Sequence, residues 1–181
     1  VFSSNQPFEN SPDTNEYWGW KVARDGPGWR PPEPLGPMVN SEGFTGYPSI
    51  SGNKNLYFYS ERVGGKGADD IYLSEWVNGR YTEAQNLGDS INSHLKEVDP
   101  FISPDESFLI FCRMEEAAGW DLFVSFRKDD GSWTAAVNMG DRINSDASDF
   151  CPSLSPDGKY LFFTSRRSHH RSFSDVPITY E

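Results

Sequence analysis

Apolar and polar positions fall into short bursts along this chain, bounded by Gly, Pro, Asn and Asp, and no stretch carries the 3.6-residue period of an amphipathic helix. The longest bursts are aromatic: Leu56 to Tyr59, Phe108 to Phe111 and Tyr160 to Phe163. A continuous apolar run of this length suits a strand covered on both faces. Before one such run stands the apolar pair Phe101-Ile102, then the turn Pro104-Asp105-Glu106. Proline presets φ at the first turn corner, and aspartate beside it can bond back to the backbone. Third strands are predicted at Asp70 to Leu73 and Asp121 to Phe126, and an outer fourth strand at Trp133 to Met139. Asn78-Gly79 is a two-residue hairpin signal.

The whole pattern recurs. Pro48, Pro100 and Pro152 stand 52 apart, and each opens the same strand–turn–strand segment. Leu35-Gly36, Leu87-Gly88 and Met139-Gly140 keep phase and lead to Val39, Ile91 and Ile143, each followed by Asn-Ser. Trp29, Tyr81 and Trp133 hold the same spacing. A fixed period of this length with short aromatic strands marks a β-propeller, one blade per repeat. The expected fold is therefore all-β, with four-stranded antiparallel blades in about three 52-residue repeats. Residues 47–98 and 99–150 form complete blades. Residues 1–46 supply the outer strands of a partial blade: the end of a second strand at Val1 to Asn5, a third near Tyr17 to Val22, a fourth near Trp29. Residues 151–181 supply inner strands and a loop. Three blades fall short of the roughly 4 to 8 that close a ring. The favoured expectation is a piece of a longer propeller, ahead of a ring of two copies or an open stack with bare strand edges.

Composition narrows the partners. A net charge of -11 argues against nucleic acid and anionic membrane surfaces, which need a basic footprint. No apolar run approaches the length of a membrane-spanning helix. Two cysteines, Cys112 and Cys151, are too few for a disulfide framework. They read as small buried apolar residues, with a bridge between them as the alternative.

The segments 100–113 (PFISPDESFLIFCR) and 152–167 (PSLSPDGKYLFFTSRR), with the DIY and DLF third strands, resemble the TolB-type, WD-like propeller repeat. The linkers 86–93 (NLGDSINS) and 138–145 (NMGDRINS) resemble its longer variant in bacterial envelope proteins. The resemblance covers about residues 17–165. It implies a propeller, six-bladed when complete, placed in the periplasm or outside the cell, that binds rather than catalyses. The first copy departs from it, with Ser51-Gly52-Asn53-Lys54 where Ser-Pro-Asp-Gly is expected, so that turn must be rebuilt.

Candidate chemistry follows the repeat. Glu97 and Asp149 each precede the strand-opening proline by three residues, with Thr45 at that place in the first copy. A ring of such acids at a channel mouth could bind a cation or a basic peptide segment. The plainer reading, that they accept backbone N–H bonds from the crossing loop, is favoured. Arg62, Arg113 and Arg166 close the second strands. They could recognise carboxylate or phosphate, but pairing with those acids between blades is the favoured role. Asp70 and Asp121 lack the Asp-x-Asp-x-Asp spacing of a calcium loop. His94 offers nothing, and His169-His170 lie in a Ser/Arg-rich loop without zinc-ligand spacing. No G-x-S-x-G elbow is present. The aromatics Tyr17, Trp18, Trp20 and Trp29 are read as core of the first partial blade ahead of a stacking surface.

The function expected is non-catalytic binding of a protein or peptide, with no cofactor and no metal. One alternative is the propeller portion of a hydrolase, a peptidase or a glycosidase, for which Glu97 and Asp149 are the repeat-phased acids. The other is an assembly subunit whose partial blades another chain completes, as a homo-oligomer or with further blades of the same parent.

Overall fold

The computed structural model describes residues 1–7, 17–40, 43–115 and 119–168. Among them the chain is all-β, with no helix and only antiparallel sheets. The first sheet has three strands, β1 (Phe2–Ser4), β2 (Trp18–Lys21) and β5 (Glu33–Pro34), in the order β1-β2-β5. A small hairpin of β3 (Arg24–Asp25) and β4 (Gly28–Trp29) interrupts it. The predicted fourth strand near Trp29 is thus displaced: Trp29 sits in that hairpin, 65% exposed, and β5 does the pairing.

The second sheet runs β6 (Gly46–Ile50), β7 (Leu56–Ser60), β8 (Asp70–Ser74) and, beyond a hairpin of β9 (Trp76–Val77) and β10 (Arg80–Tyr81), β11 (Gln85–Asn86). Asn78 and Gly79 close that hairpin with φ of 51° and 82°, the left-handed pair that a two-residue turn requires. The third sheet is β12 (Glu97–Ile102), β13 (Phe108–Glu115), β14 (Gly119–Phe126) and β15 (Val137–Asn138). Its outer strand is two residues long, not the predicted run from Trp133. Trp133 instead makes an isolated bridge with Arg127. The last sheet holds β16 (Asp149–Leu154) and β17 (Leu161–Ser165).

Each first strand is broken at one place. The register slips between Gly46 and Ser49, between Val98 and Phe101, and between Phe150 and Ser153. Pro48, Pro100 and Pro152 sit in these bulges, so the three prolines occupy equivalent stations. Proline cannot donate to the ladder, which is why the interruption falls there. The residues before them, Tyr47, Asp99 and Cys151, take left-handed φ of 40°, 52° and 54°.

Stacking explains the aromatic runs. Successive residues of a strand point to opposite faces. Leu56 and Phe58 pack with Leu35 and Val39 of the first unit, while Tyr57 and Ile71 pack with Leu109, Phe111 and Phe123 of the third sheet. Cys112 and Leu122 on the far face of that sheet meet Leu161 and Phe163 of the last. The middle strands of the second and third sheets are therefore covered twice. On β17 the outward station carries Phe162, 58% exposed, whereas its register counterparts Tyr57 and Ile110 are at 0% and 4%. β12 packs against both β6 and β16, so first strands stand side by side along the array.

Candidate functional site

Two sets of residues emerge, one sealed and one open. The sealed set contains four of the five residues singled out in the sequence. Glu97 and Asp149 open β12 and β16 and are fully buried. Glu97 accepts Ser93 N–H and Oγ–H at 3.0 and 2.5 Å, and Arg113 Nε–H at 2.8 Å. Asp149 accepts Ser145 N–H and Oγ–H at 2.7 and 2.8 Å, and an Arg167 guanidinium N–H at 2.8 Å. Thr45 at the same station donates its hydroxyl to Val39 O at 3.4 Å. Burial raises the Asp149 carboxyl, but the bonds from Ser165, Arg167 and Ser145 outweigh it and hold it below its ordinary value.

Three guanidinium groups complete these latches. Arg62, Arg113 and Arg167 donate to the carbonyls of Val39, Ile91 and Ile143 at 2.8, 2.8 and 2.5 Å. Arg62 lies over Phe58 and Tyr72, Arg113 over Phe111 and Phe123, and Arg167 over Phe163, at 4.5 to 5.7 Å. Arg167, not Arg166, is the counterpart of Arg113. Ser165 takes the strand position that Arg113 holds, opposite the acid, and the arginine follows two residues later. The pairing joins neighbouring strands of one sheet rather than neighbouring sheets.

The linker asparagines finish the design. Asn40, Asn92 and Asn144 each accept from the N–H and donate to the C=O of one third-strand residue, Gly19, Ile71 and Leu122, at 2.8 to 3.0 Å. A side-chain amide thus pairs as a missing strand residue would, which is the physical reason for the recurring Asn-Ser.

The open set lies two residues further along. The bulges turn Tyr47, Asp99 and Cys151 into one central cleft, with Pro48, Pro100 and Pro152 beside them. Left-handed φ at a non-glycine residue costs about 1–3 kcal/mol, and such strain gathers at functional sites. The cleft has two chambers, of about 340 and 580 Å³, which share Phe44, Tyr47, Asp99 and Cys151. The rings of Tyr17, Phe44, Tyr59 and Tyr47 form one wall, with neighbouring centroids 5.2 to 6.2 Å apart. Gly46 makes that wall feasible: a Cβ there would lie 2.3 Å from Phe44 and 2.4 Å from Tyr59 ring atoms. Trp120 and Phe150 line the smaller chamber, and the Arg166 guanidinium, exposed, stands 5.8 Å from the Phe150 ring. Of the five residues chosen from sequence, Arg166 alone faces this cleft.

Asp99 is a buried charge of the cleft, at 9% exposure, beside Asp69 at 5%, which Lys96 neutralises. Its Oδ2 accepts Cys151 N–H and the Cys151 thiol at 3.3 Å each, and the Cys112 thiol at 3.9 Å. Burial raises its carboxyl despite those bonds. The same burial, with Asp99 beside it, pushes the Cys151 thiol up to about 12 and Cys112 higher still, so neither is a nucleophile at neutral pH. Both cysteines are free.

Among the described residues, no His, Cys, Asp or Glu set could hold a metal. His169 and His170 lie outside the described residues. Asp70 ties down its own loop through Gly67 N–H at 3.0 Å and Lys66 N–H, and accepts from Asn86 at 2.8 Å. Glu97 and Asp149 do not line the central cleft. Trp18 and Trp20 are core, while Tyr17 is exposed on the cleft wall. Sequence reasoning missed Tyr47, Asp99 and Cys151. The signal for them was a station before the recurring proline whose residue type changes from copy to copy. The chain matches no protein-family model and no curated protein.

Proposed function

We propose that the four sheets are consecutive blades of a β-propeller of the TolB-like kind, and that the central cleft binds an extended segment of a protein or peptide without catalysing a reaction. One observation carries this reading: three bulges in phase deliver Tyr47, Asp99 and Cys151, three different side chains, into one cleft. One backbone conformation that presents three different side chains to a cavity suits recognition rather than further packing. Side-by-side first strands and faces covered from both sides support the propeller geometry. Further blades, from the same parent chain or a second copy, would cover Phe162. Placement in the bacterial envelope or outside the cell rests on the repeat resemblance, and fractionation of the native host tests it. The binding reading is tested by selecting from a displayed library of extended peptides. Binders enriched on the native chain and lost on Tyr47→Ala support it. An empty selection, or binders indifferent to Tyr47→Ala, would refute it.

A further inference from the structure

We infer that the smaller chamber around Asp99 receives an alkylammonium group, the head of a lysine side chain on the bound segment. The inference rests on the peptide-binding reading and names the chemistry that is read. Its ground is a carboxylate without a counter-ion. Asp99 is nine-tenths buried, its Oδ2 is shared by one N–H and two weak thiol donors, and among the described residues no hydrogen bond reaches Oδ1. No lysine or arginine among them lies within ion-pair distance of it. Among the other buried acids, Glu97 and Asp149 have arginines, Asp69 has Lys96 at 2.8 Å, and Glu106 has Arg127 at 3.6 Å. Asp70 and Asp121 also lack an ion pair, but each accepts a side-chain amide N–H, from Asn86 and Asn138 at 2.8 Å, and neither faces the cleft. Burying a charge unpaired is costly, so the free protein holds a site that a cation would complete.

The surrounding walls select the kind of cation. Phe44, Tyr47 and Tyr59 on one side and Trp120 and Phe150 on the other present aromatic surface, which attracts ammonium groups. A chamber of about 340 Å³ holds a lysine head and its stem, and the neighbouring chamber with Pro48, Pro100 and Pro152 holds the backbone that presents it. Glu61 and Asp69 line the same chamber against one arginine, Arg166, which is exposed at its rim. An anion would meet Asp99 inside, and a neutral group would leave it unpaired.

The test is calorimetric titration of the 181-residue chain with n-butylammonium chloride, butan-1-ol and sodium butanoate. Butylammonium is expected to bind, with the alcohol at least about tenfold weaker, as a lost charge-assisted hydrogen bond implies. Asp99→Asn is expected to weaken the ammonium by about tenfold or more without lowering thermal stability. Tyr47→Ala, at a half-exposed position that tolerates truncation, is expected to weaken it about two- to fivefold through the lost aromatic face. Equal or tighter binding of butan-1-ol or butanoate, or an unchanged ammonium affinity in both variants, would overturn the inference. Selected peptides that need Tyr47 but carry no lysine would overturn it while leaving the peptide reading standing. Ammonium binding beside an empty peptide selection would do the reverse.

Discussion

Thr45, Glu97 and Asp149 stand two residues before Tyr47, Asp99 and Cys151, and the two sets have opposite fates in the same strands. The earlier set is fully buried and holds the linkers: Glu97 and Asp149 accept from the linker serine and an arginine, while Thr45 donates to the linker carbonyl of Val39. The later set shares a backbone conformation and nothing else: a phenol, a carboxylate and a thiol. A latch must do the same job in every repeat, and every copy keeps a buried oxygen at this station and an arginine bonded to the linker carbonyl. A cleft needs different groups around one axis, so identical backbone carries different side chains. Repetition marks scaffold here, and broken repetition at a fixed station marks the site.

The largest expected effect breaks a latch. Arg113→Ala leaves Glu97 charged, buried and unpaired, and should cost about 3–5 kcal/mol in urea unfolding. Arg62→Ala removes a guanidinium that bonds Ser60 and the Val39 carbonyl instead of an acid, and should cost only about 1–2 kcal/mol through the lost bonds and ring contacts. Equal losses would show that the buried acid is not what makes the latch. Next comes the cleft wall: Gly46→Ala forces the Phe44 and Tyr59 rings apart and should cost about 1–3 kcal/mol while impairing any ligand binding.

The smallest effect has the opposite sign. The folded-state carboxyl of Asp99 is raised, so its stabilising contribution is complete below the unfolded value and is lost as pH rises through the folded one. At neutral pH the ionised group is a burden, and Asp99→Asn should raise the urea midpoint there and leave it nearly unchanged at pH 3. Asp149 and Glu106 act in the other direction. Their depressed carboxyls stabilise the fold above the ordinary carboxylate range, and that contribution fades as pH falls through their folded values. Glu106 is a lock between sheets, accepting from Ser51, Asn55 and Tyr57 at 2.7, 2.8 and 3.0 Å. A variant at position 99 that gains stability and loses ligand has the signature of a residue kept for function.

Much of the architecture was readable in the sequence because strand periodicity and proline stations are local signals. The 52-residue phase placed β6, β12 and β16, and Asn78-Gly79 placed its hairpin. What escaped was set by register. Arg113 stands in the strand opposite its acid, whereas Ser165 fills that position in the last sheet and the bonding arginine follows outside the strand, so the first arginine after the strand, Arg166, was taken for Arg167. The Ser51–Asn55 turn is one residue shorter than the turn after Ser103, so counting 52 from Phe111 gives Tyr59, whereas the strand pairing makes Phe58 its counterpart. Outer strands were overestimated because Trp133 packs in the core without laddering. Glu106 passed as a turn residue because its partners lie about 50 positions back, on another sheet.

Amide chemical-shift mapping with a selected lysine-bearing peptide tests the division of labour most directly. Shifts are expected at residues 44–48, 98–101 and 150–152, with the linkers at 40, 92 and 144 unmoved. A footprint centred on the outer strands near Val137 or on the Trp29 hairpin, with the three bulges silent, would contradict it.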